Sequence, residues 1–67
     1  MIMYKIEYKN NFPGNHVFFH PDYDKAIEFY LSLTDKITTK AAEIVKVDWN
    51  VEKQGYTKII ECIGSYS

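Results

Sequence analysis

The longest amphipathic stretch of the chain runs from Asp22 to Ile37. At the helical step of about 100° per residue, its apolar side chains fall in one arc and its charged side chains in the opposite arc. The apolar arc contains Tyr23, Ala26, Ile27, Tyr30, Leu33 and Ile37, with Phe29 and Leu31 at its edges. This pattern predicts a helix that buries one face. Asp22 is its predicted N-cap, and its end is predicted between Leu33 and Ile37.

Two segments before the helix alternate with the period of two that is typical of strands. In the first segment the residues predicted to face the core are Ile2, Tyr4, Ile6 and Tyr8. Phe12–Asn15 predicts a type II turn, because Pro13 presets its φ and Gly14 tolerates a positive φ. His16–His20 is then a second, short strand. One of its faces carries His16, Phe18 and His20, and the other carries Val17 and Phe19.

The period of two returns after the helix. The alternating apolar positions are Val45, Val47, Trp49 and Val51. Lys53–Gly55 predicts a hairpin loop with Gly55 in the left-handed conformation, and Tyr56–Ile63 predicts the last strand. A three-residue loop pairs Trp49 with Ile59 and Val45 with Ile63, which is the preferred register. A slip of one residue instead places Ile60 and Cys62 beside the valines.

The predicted element order is β-β-α-β-β over a single domain, residues 1–67. Two hairpins joined by an amphipathic helix can bury that helix only by forming one sheet beneath it. We therefore expect an α+β, two-layer fold: a four-stranded, mostly antiparallel sheet with one helix on one face. A chain of this size buries only about 60 % of the surface that its unfolded form exposes, which leaves little room for a deep pocket.

Charge and composition narrow the function classes. Eight lysines, no arginine and nine acidic residues give a formal net charge of −1, so binding to nucleic acid is not expected. No apolar run is long enough for a membrane span, and no signal peptide is evident. The single cysteine, Cys62, is consistent with a reducing compartment, and we expect a cytoplasmic protein. The absence of arginine, with many Lys, Asn and Ile residues, is typical of AT-rich coding.

Few residues in the sequence are candidates for catalysis or for binding a metal or cofactor. His16 and His20 are about 13 Å apart along a strand, too far to share a zinc ion, and we predict no metal site. Cys62 has no activating neighbour in the sequence and is expected to be a small hydrophobe, buried or half-buried. The chain has no glycine-rich phosphate loop. Without an evident cleft for acid–base groups, we expect neither an enzyme nor a cofactor.

Aromatic residues are abundant: eleven of the 67 residues are Phe, Trp or Tyr. Most of them fall on predicted buried faces. Phe12 and Phe18 do not, and with His16 and His20 they form a predicted exposed patch on the uncovered sheet face. Such a patch typically marks a protein partner. The alternative is that Phe18 packs beneath a terminus or against a second copy.

The segment Phe18–Leu33, Phe-Phe-His-Pro-Asp-Tyr-Asp-Lys-Ala-Ile-Glu-Phe-Tyr-Leu-Ser-Leu, resembles the capped helix of small bacteriophage accessory proteins, which place it between two hairpins. The resemblance covers about a quarter of the chain and carries no functional motif. It implies a phage-encoded binder that inhibits a host or bacterial-defence protein by occlusion in the host cytoplasm. The alternatives are a homo-oligomer, such as a homodimer joined by sheet edges or by the aromatic face, and then a single-strand nucleic-acid binder.

Overall fold

The computed structural model describes all residues, 1–67. Its elements are β1 (Ile2–Lys9), β2 (His16–His20), α1 (Tyr23–Thr34), β3 (Ala41–Asn50) and β4 (Gly55–Tyr66). The strands form one sheet in the order β2-β1-β3-β4, and every neighbouring pair is antiparallel. The helix lies across one face of the sheet, mostly over β3 and β1. The predicted α+β fold and its β-β-α-β-β order are confirmed.

The helix begins as predicted. Asp22 is the N-cap, and its carboxylate accepts hydrogen bonds from the backbone N–H of Asp24 at 2.9 Å and of Lys25 at 3.3 Å. The helix ends at Thr34, within the predicted interval. Ile37 lies beyond that end and is fully exposed, so its predicted place on the buried arc is wrong. At twelve residues, α1 is neither long nor apolar enough to cross a membrane.

The main core lies between the helix and the sheet. Its fully enclosed members are Ile6, Ala26, Tyr30, Leu33, Ala42 and Ile44. Tyr4 and Tyr8 pack against this cluster from β1, as the alternation predicts. Ile2, from the same predicted set, lies at the end of the strand and is exposed. We call the side of the sheet under α1 the helix face.

The opposite side of the sheet, which we call the open face, has a core of its own. Met3 pairs with Val47 and Lys5 with Val45, so these side chains point away from the helix. Met3, Val45 and Val47 are buried there, and Phe19 and Trp49 pack over them. The alternation of β3 puts Val45 and Val47 on one face, but it does not place them beneath the helix. The β1–β3 register instead gives that position to Ile44.

Strand β4 follows neither predicted register along its whole length. The preferred register holds where Ile44 pairs with Gly64, and the slipped register holds where Val45 pairs with Cys62. Trp49 pairs with Tyr56 rather than with Ile59. Three one-residue shifts, between Ile44 and Val45, Lys46 and Val47, and Asp48 and Trp49, separate these stretches. Each inserts an extra β4 residue, which bends the strand and increases its twist.

The β3–β4 turn also differs from its prediction. The left-handed residue is Gln54, with a φ of 50°, and Gly55 is already the first residue of β4. In the β1–β2 loop, by contrast, Gly14 has a φ of 88°, as a type II turn requires at that position.

We predict that Asp22→Ala destabilises the protein by about 1 kcal/mol, because two backbone N–H groups of the first helical turn lose their acceptor. Urea unfolding followed by circular dichroism measures this. The matched control is Asp35→Ala, which removes an exposed carboxylate at the other end of α1 and should leave the midpoint nearly unchanged. Equal midpoints for the two variants would contradict the capping role.

We further predict that Gly64→Ala destabilises by about 1–3 kcal/mol through overpacking. A Cβ at Gly64 would lie 3.2 Å from Tyr30 Oη and 3.3 Å from two atoms of its ring. Combining Gly64→Ala with Tyr30→Phe removes the closest of these contacts, so the double variant should lose less than the sum of the single losses. Additive losses, measured by denaturant unfolding, would show that the two residues do not press on each other.

Candidate functional site

The predicted site residues of β2 lie on the helix face. His16, Phe18 and His20 pair with Tyr8, Ile6 and Tyr4, whose side chains all point towards α1. Their predicted location on the uncovered face is therefore wrong. The cause is the short length of β2: its own alternation separates the two faces, and only the pairing with β1 shows which one the helix covers.

The side chains of β2 join those of β1 and α1 in a continuous row at the edge of the sheet. Phe18 lies 4.9 Å from Phe29 and 6.3 Å from His20, measured between ring centroids. Tyr8 stacks on His16 at 5.1 Å and meets the edge of Phe29 at 6.0 Å. We call Tyr8, His16, Phe18, His20 and Phe29 the aromatic strip. Phe18 remains 43 % exposed, so the strip reaches solvent at its centre.

Both imidazoles make hydrogen bonds that orient them. His16 Nε2 lies 3.2 Å from Asn10 Oδ1, an atom that can only accept, so His16 donates this hydrogen bond in the tautomer with its proton on Nε2. His20 Nδ1 accepts the backbone N–H of Asp22 at 3.0 Å and so holds the β2–α1 connection. No three His, Cys, Asp or Glu side chains are grouped so that they could hold a metal ion. The hydrogen bonds to Asn10 and Asp22 fix how the two imidazoles lie in the strip.

Phe12 lies apart from the strip. It is 71 % exposed in the β1–β2 loop, and its ring belongs to none of the aromatic pairs. Its backbone N–H donates to Asn10 Oδ1 at 3.0 Å, the same atom that contacts His16. The Asn10 side chain thus positions the loop beside the strip without bringing the Phe12 ring into it.

Sequence reasoning did not find the cluster on the open face. Lys5 is buried there, and its Nζ lies 3.1 Å from Glu7 Oε1 and 3.3 Å from Tyr56 Oη. The Lys5 ammonium also lies over the Tyr56 ring, 5.0 Å from its centroid. Phe19 completes the cluster, 4.9 Å from Trp49 and 6.2 Å from Tyr56. The spacing of Val45, Val47 and Trp49 indicates that they share a face, but it does not indicate that this face is the one opposite the helix.

The positive charge of Lys5 is balanced within its own cluster by the carboxylate of Glu7. Burial by itself lowers the pKa of Lys5, but the hydrogen bonds to Glu7 and Tyr56 outweigh it and raise that pKa above its ordinary value. The other Glu7 oxygen accepts from Asn15 Nδ2 at 2.9 Å. The ammonium is therefore paired within the protein.

The surface also has two open depressions. One, of about 290 Å³, lies at the end of the sheet, where Glu7 is directly opposite Glu43. The other, of about 260 Å³, is bordered by Cys62 and Lys46. Cys62 is exposed, not buried as expected, and its nearest hydrogen-bonding atom is the Gly64 carbonyl oxygen at 3.9 Å. No base for a thiol nucleophile hydrogen-bonds to its sulfur.

Comparison of the chain with models of known protein families, with curated proteins and with solved structures finds no match.

The alkaline stability of the protein tests the Lys5 cluster. Because the folded-state pKa of Lys5 is raised, its contribution to stability is complete below about pH 10.5 and is lost as pH rises through the folded pKa. We expect Lys5→Met, which keeps the apolar stem, to lose less stability in this range than the unmodified protein.

Tyr30 adds a second loss of stability at alkaline pH, with the same sign. Burial raises the pKa of Tyr30, and the charge of Cys62 raises it further. Lys5→Met should therefore remove only part of the pH dependence, measured by urea unfolding at a series of pH values. Lys25→Met, at an exposed lysine without an ion pair, is the matched control and should keep the full loss. Identical profiles for the two variants would contradict the role of Lys5.

Proposed function

We propose that this chain is a small, non-enzymatic protein-binding module whose binding surface is the aromatic strip and the β2 edge beside it. The observation that carries the proposal is the position of Phe18. Its ring is 43 % exposed, is supported from below by Phe29, and belongs to an edge strand that pairs only with β1. A half-exposed aromatic ring on a rigid support is the kind of anchor on which protein interfaces depend.

The geometry favours a partner that presents an extended segment. Such a segment can bond to the free backbone groups of β2 and place alternate side chains against Phe18 and the two histidines. Phe12, at the tip of the adjacent loop, then extends the contact at its rim. The binding residues proposed are therefore Phe12, His16, Phe18 and His20, together with Tyr8 and Phe29.

The resemblance of Phe18–Leu33 to phage accessory proteins supports a more specific form of this proposal. In that form the module is phage-encoded, acts in the host cytoplasm, and inhibits a host or bacterial-defence protein by covering its surface. The small size of the chain and its hydrogen-bonded, structurally engaged polar groups agree with inhibition by occlusion rather than by chemistry.

A role in binding single-stranded nucleic acid has weaker support. The open face carries Phe19, Trp49 and Tyr56, but these rings pack against one another. The lysine among them is already paired with Glu7. Stacking of bases normally combines free ring faces with a basic groove, and the net charge here is −1.

We predict that Phe18→Asp abolishes partner capture, because it places a charge at the centre of the contact. The measurement is a pull-down with tagged protein from a low-GC bacterial lysate treated with nuclease, read by mass spectrometry. The unmodified protein should retain one stoichiometric host protein, and Phe18→Asp should lose it.

Ile59→Asp is the matched control, since Ile59 is 54 % exposed on the other edge strand, β4. It should retain the captured protein. Circular dichroism must show that both variants are folded. Equal capture by Phe18→Asp and the unmodified protein would rule out the aromatic strip as the binding surface.

A further inference from the structure

The two edges of the sheet differ in how they are protected. An exposed edge strand tends to pair with another chain, and natural proteins block this with charges, prolines or bulges. β4 has three register shifts and carries Lys58 and Glu61. β2 has neither: its five residues, His-Val-Phe-Phe-His, include no acidic residue, lysine or proline, and its pairing with β1 is uninterrupted. β2 is therefore the unprotected edge.

The outer side of β2 is also free of internal partners. The backbone hydrogen bonds outside the helix and the sheet ladders involve none of its residues, and no side chain bonds to its backbone. The helix packs mostly over β3 and β1 and least over β2, which leaves room beside the edge. Val17 is 50 % exposed and Phe18 is 43 % exposed. A chain added here would cover apolar surface as well as backbone groups.

The sequence of β2 is nearly the same in both directions. A two-fold axis perpendicular to the sheet at Phe18 places Phe18 opposite Phe18 of the second copy. It also places Val17 opposite Phe19 and His16 opposite His20. Residues opposite each other share a face, as antiparallel pairing requires. The pairs are aromatic with aromatic at Phe18, β-branched with aromatic at Val17 and Phe19, and imidazole with imidazole at His16 and His20. Aromatic–aromatic and aromatic–β-branched cross-strand pairs are stabilising.

We propose that the partner of β2 in the isolated protein is a second copy of this chain, paired antiparallel about Phe18 to form a continuous eight-stranded sheet. Both helices then lie on the same face of that sheet. The inference rests on the proposed function because it uses the same edge of the sheet. It goes further in identifying a second copy of the chain as the molecule that pairs with that edge. A five-residue ladder is small against the roughly 1,600 Å² of a standard interface, so the dimer dissociates on dilution.

The test uses the symmetry of the register. Phe18→Lys and Phe18→Glu each place like charges opposite each other and should sediment as monomers at concentrations where the unmodified protein is a dimer. An equal mixture of the two variants places Lys opposite Glu and should recover the dimer. Ile59→Lys and Ile59→Glu, on β4, are matched controls and should each dimerise like the unmodified protein. Sedimentation velocity from micromolar to millimolar concentration gives these states.

A second measurement uses the unmodified chain and does not depend on the folding of a variant. On concentration, amide signals of His16–His20 should shift and become protected from exchange, while those of β4 stay constant. Recovery in the mixture and shifts confined to β2 support the proposal. A monomer at millimolar concentration, a dimer in Phe18→Lys alone, or shifts centred on β4 would overturn it.

The outcomes separate this inference from the proposed function. A protein that stays monomeric but captures a host protein through Phe18 overturns the dimer and keeps the binding module. A protein that dimerises through β2 but captures nothing supports the dimer and counts against the module.

Discussion

The pairing of β1 with β3 is the constraint on which the rest of the structure depends. It runs without a shift from Ile2–Asp48 to Lys9–Ala41, and it places Ile6 beside Ile44 at the centre of the sheet. Both side chains are fully buried under Tyr30 and Ala26. Because side chains alternate along a strand, this one register also sends Met3, Val45 and Val47 to the other side. Two small cores follow from it, one on each face.

Having a small core on each face of the sheet buries more apolar surface than a chain of 67 residues could bury beneath one helix. One helix cannot cover a four-stranded sheet, and the uncovered valines would otherwise face water. Here large rings from the strands themselves cover them: Phe19 from β2 and Trp49 from β3, with Tyr56 from β4 beside Phe19. The bulges of β4 add twist to the strand that carries Tyr56. The abundance of aromatic residues is therefore largely explained by packing, and Phe18 is the member of the aromatic strip that is exposed to solvent.

Much of the fold was predictable because strong local patterns agreed with the global structure. The helix cap at Asp22, the strand bounds of β2 and the turn at Gly14 each depend on a few adjacent residues. The errors in strand face and strand register came from long-range pairing. The faces of β2 and β3 depend on their partners in the sheet, and the register of β4 depends on bulges that leave no sequence signature such as a glycine at each shift. The candidate site inherited the first of these errors: its residues do share a face, but it is the face under α1.

Self-pairing and partner binding at β2 exclude each other, since both use the same backbone groups and cover Phe18. The proposed homodimer would then act as a reservoir. It would shield the unprotected edge from uncontrolled strand addition, and it would release monomer when a tighter partner binds. The difference in free energy between the two complexes determines which one forms. In the proposed dimer the five-residue ladder would cover Val17 and Phe18, and a partner that also contacted Phe12 and Phe29 would bind more tightly. Under the two proposals, the absence of charged side chains from β2, a hazard in an ordinary edge strand, would allow the same five residues to accept two kinds of partner.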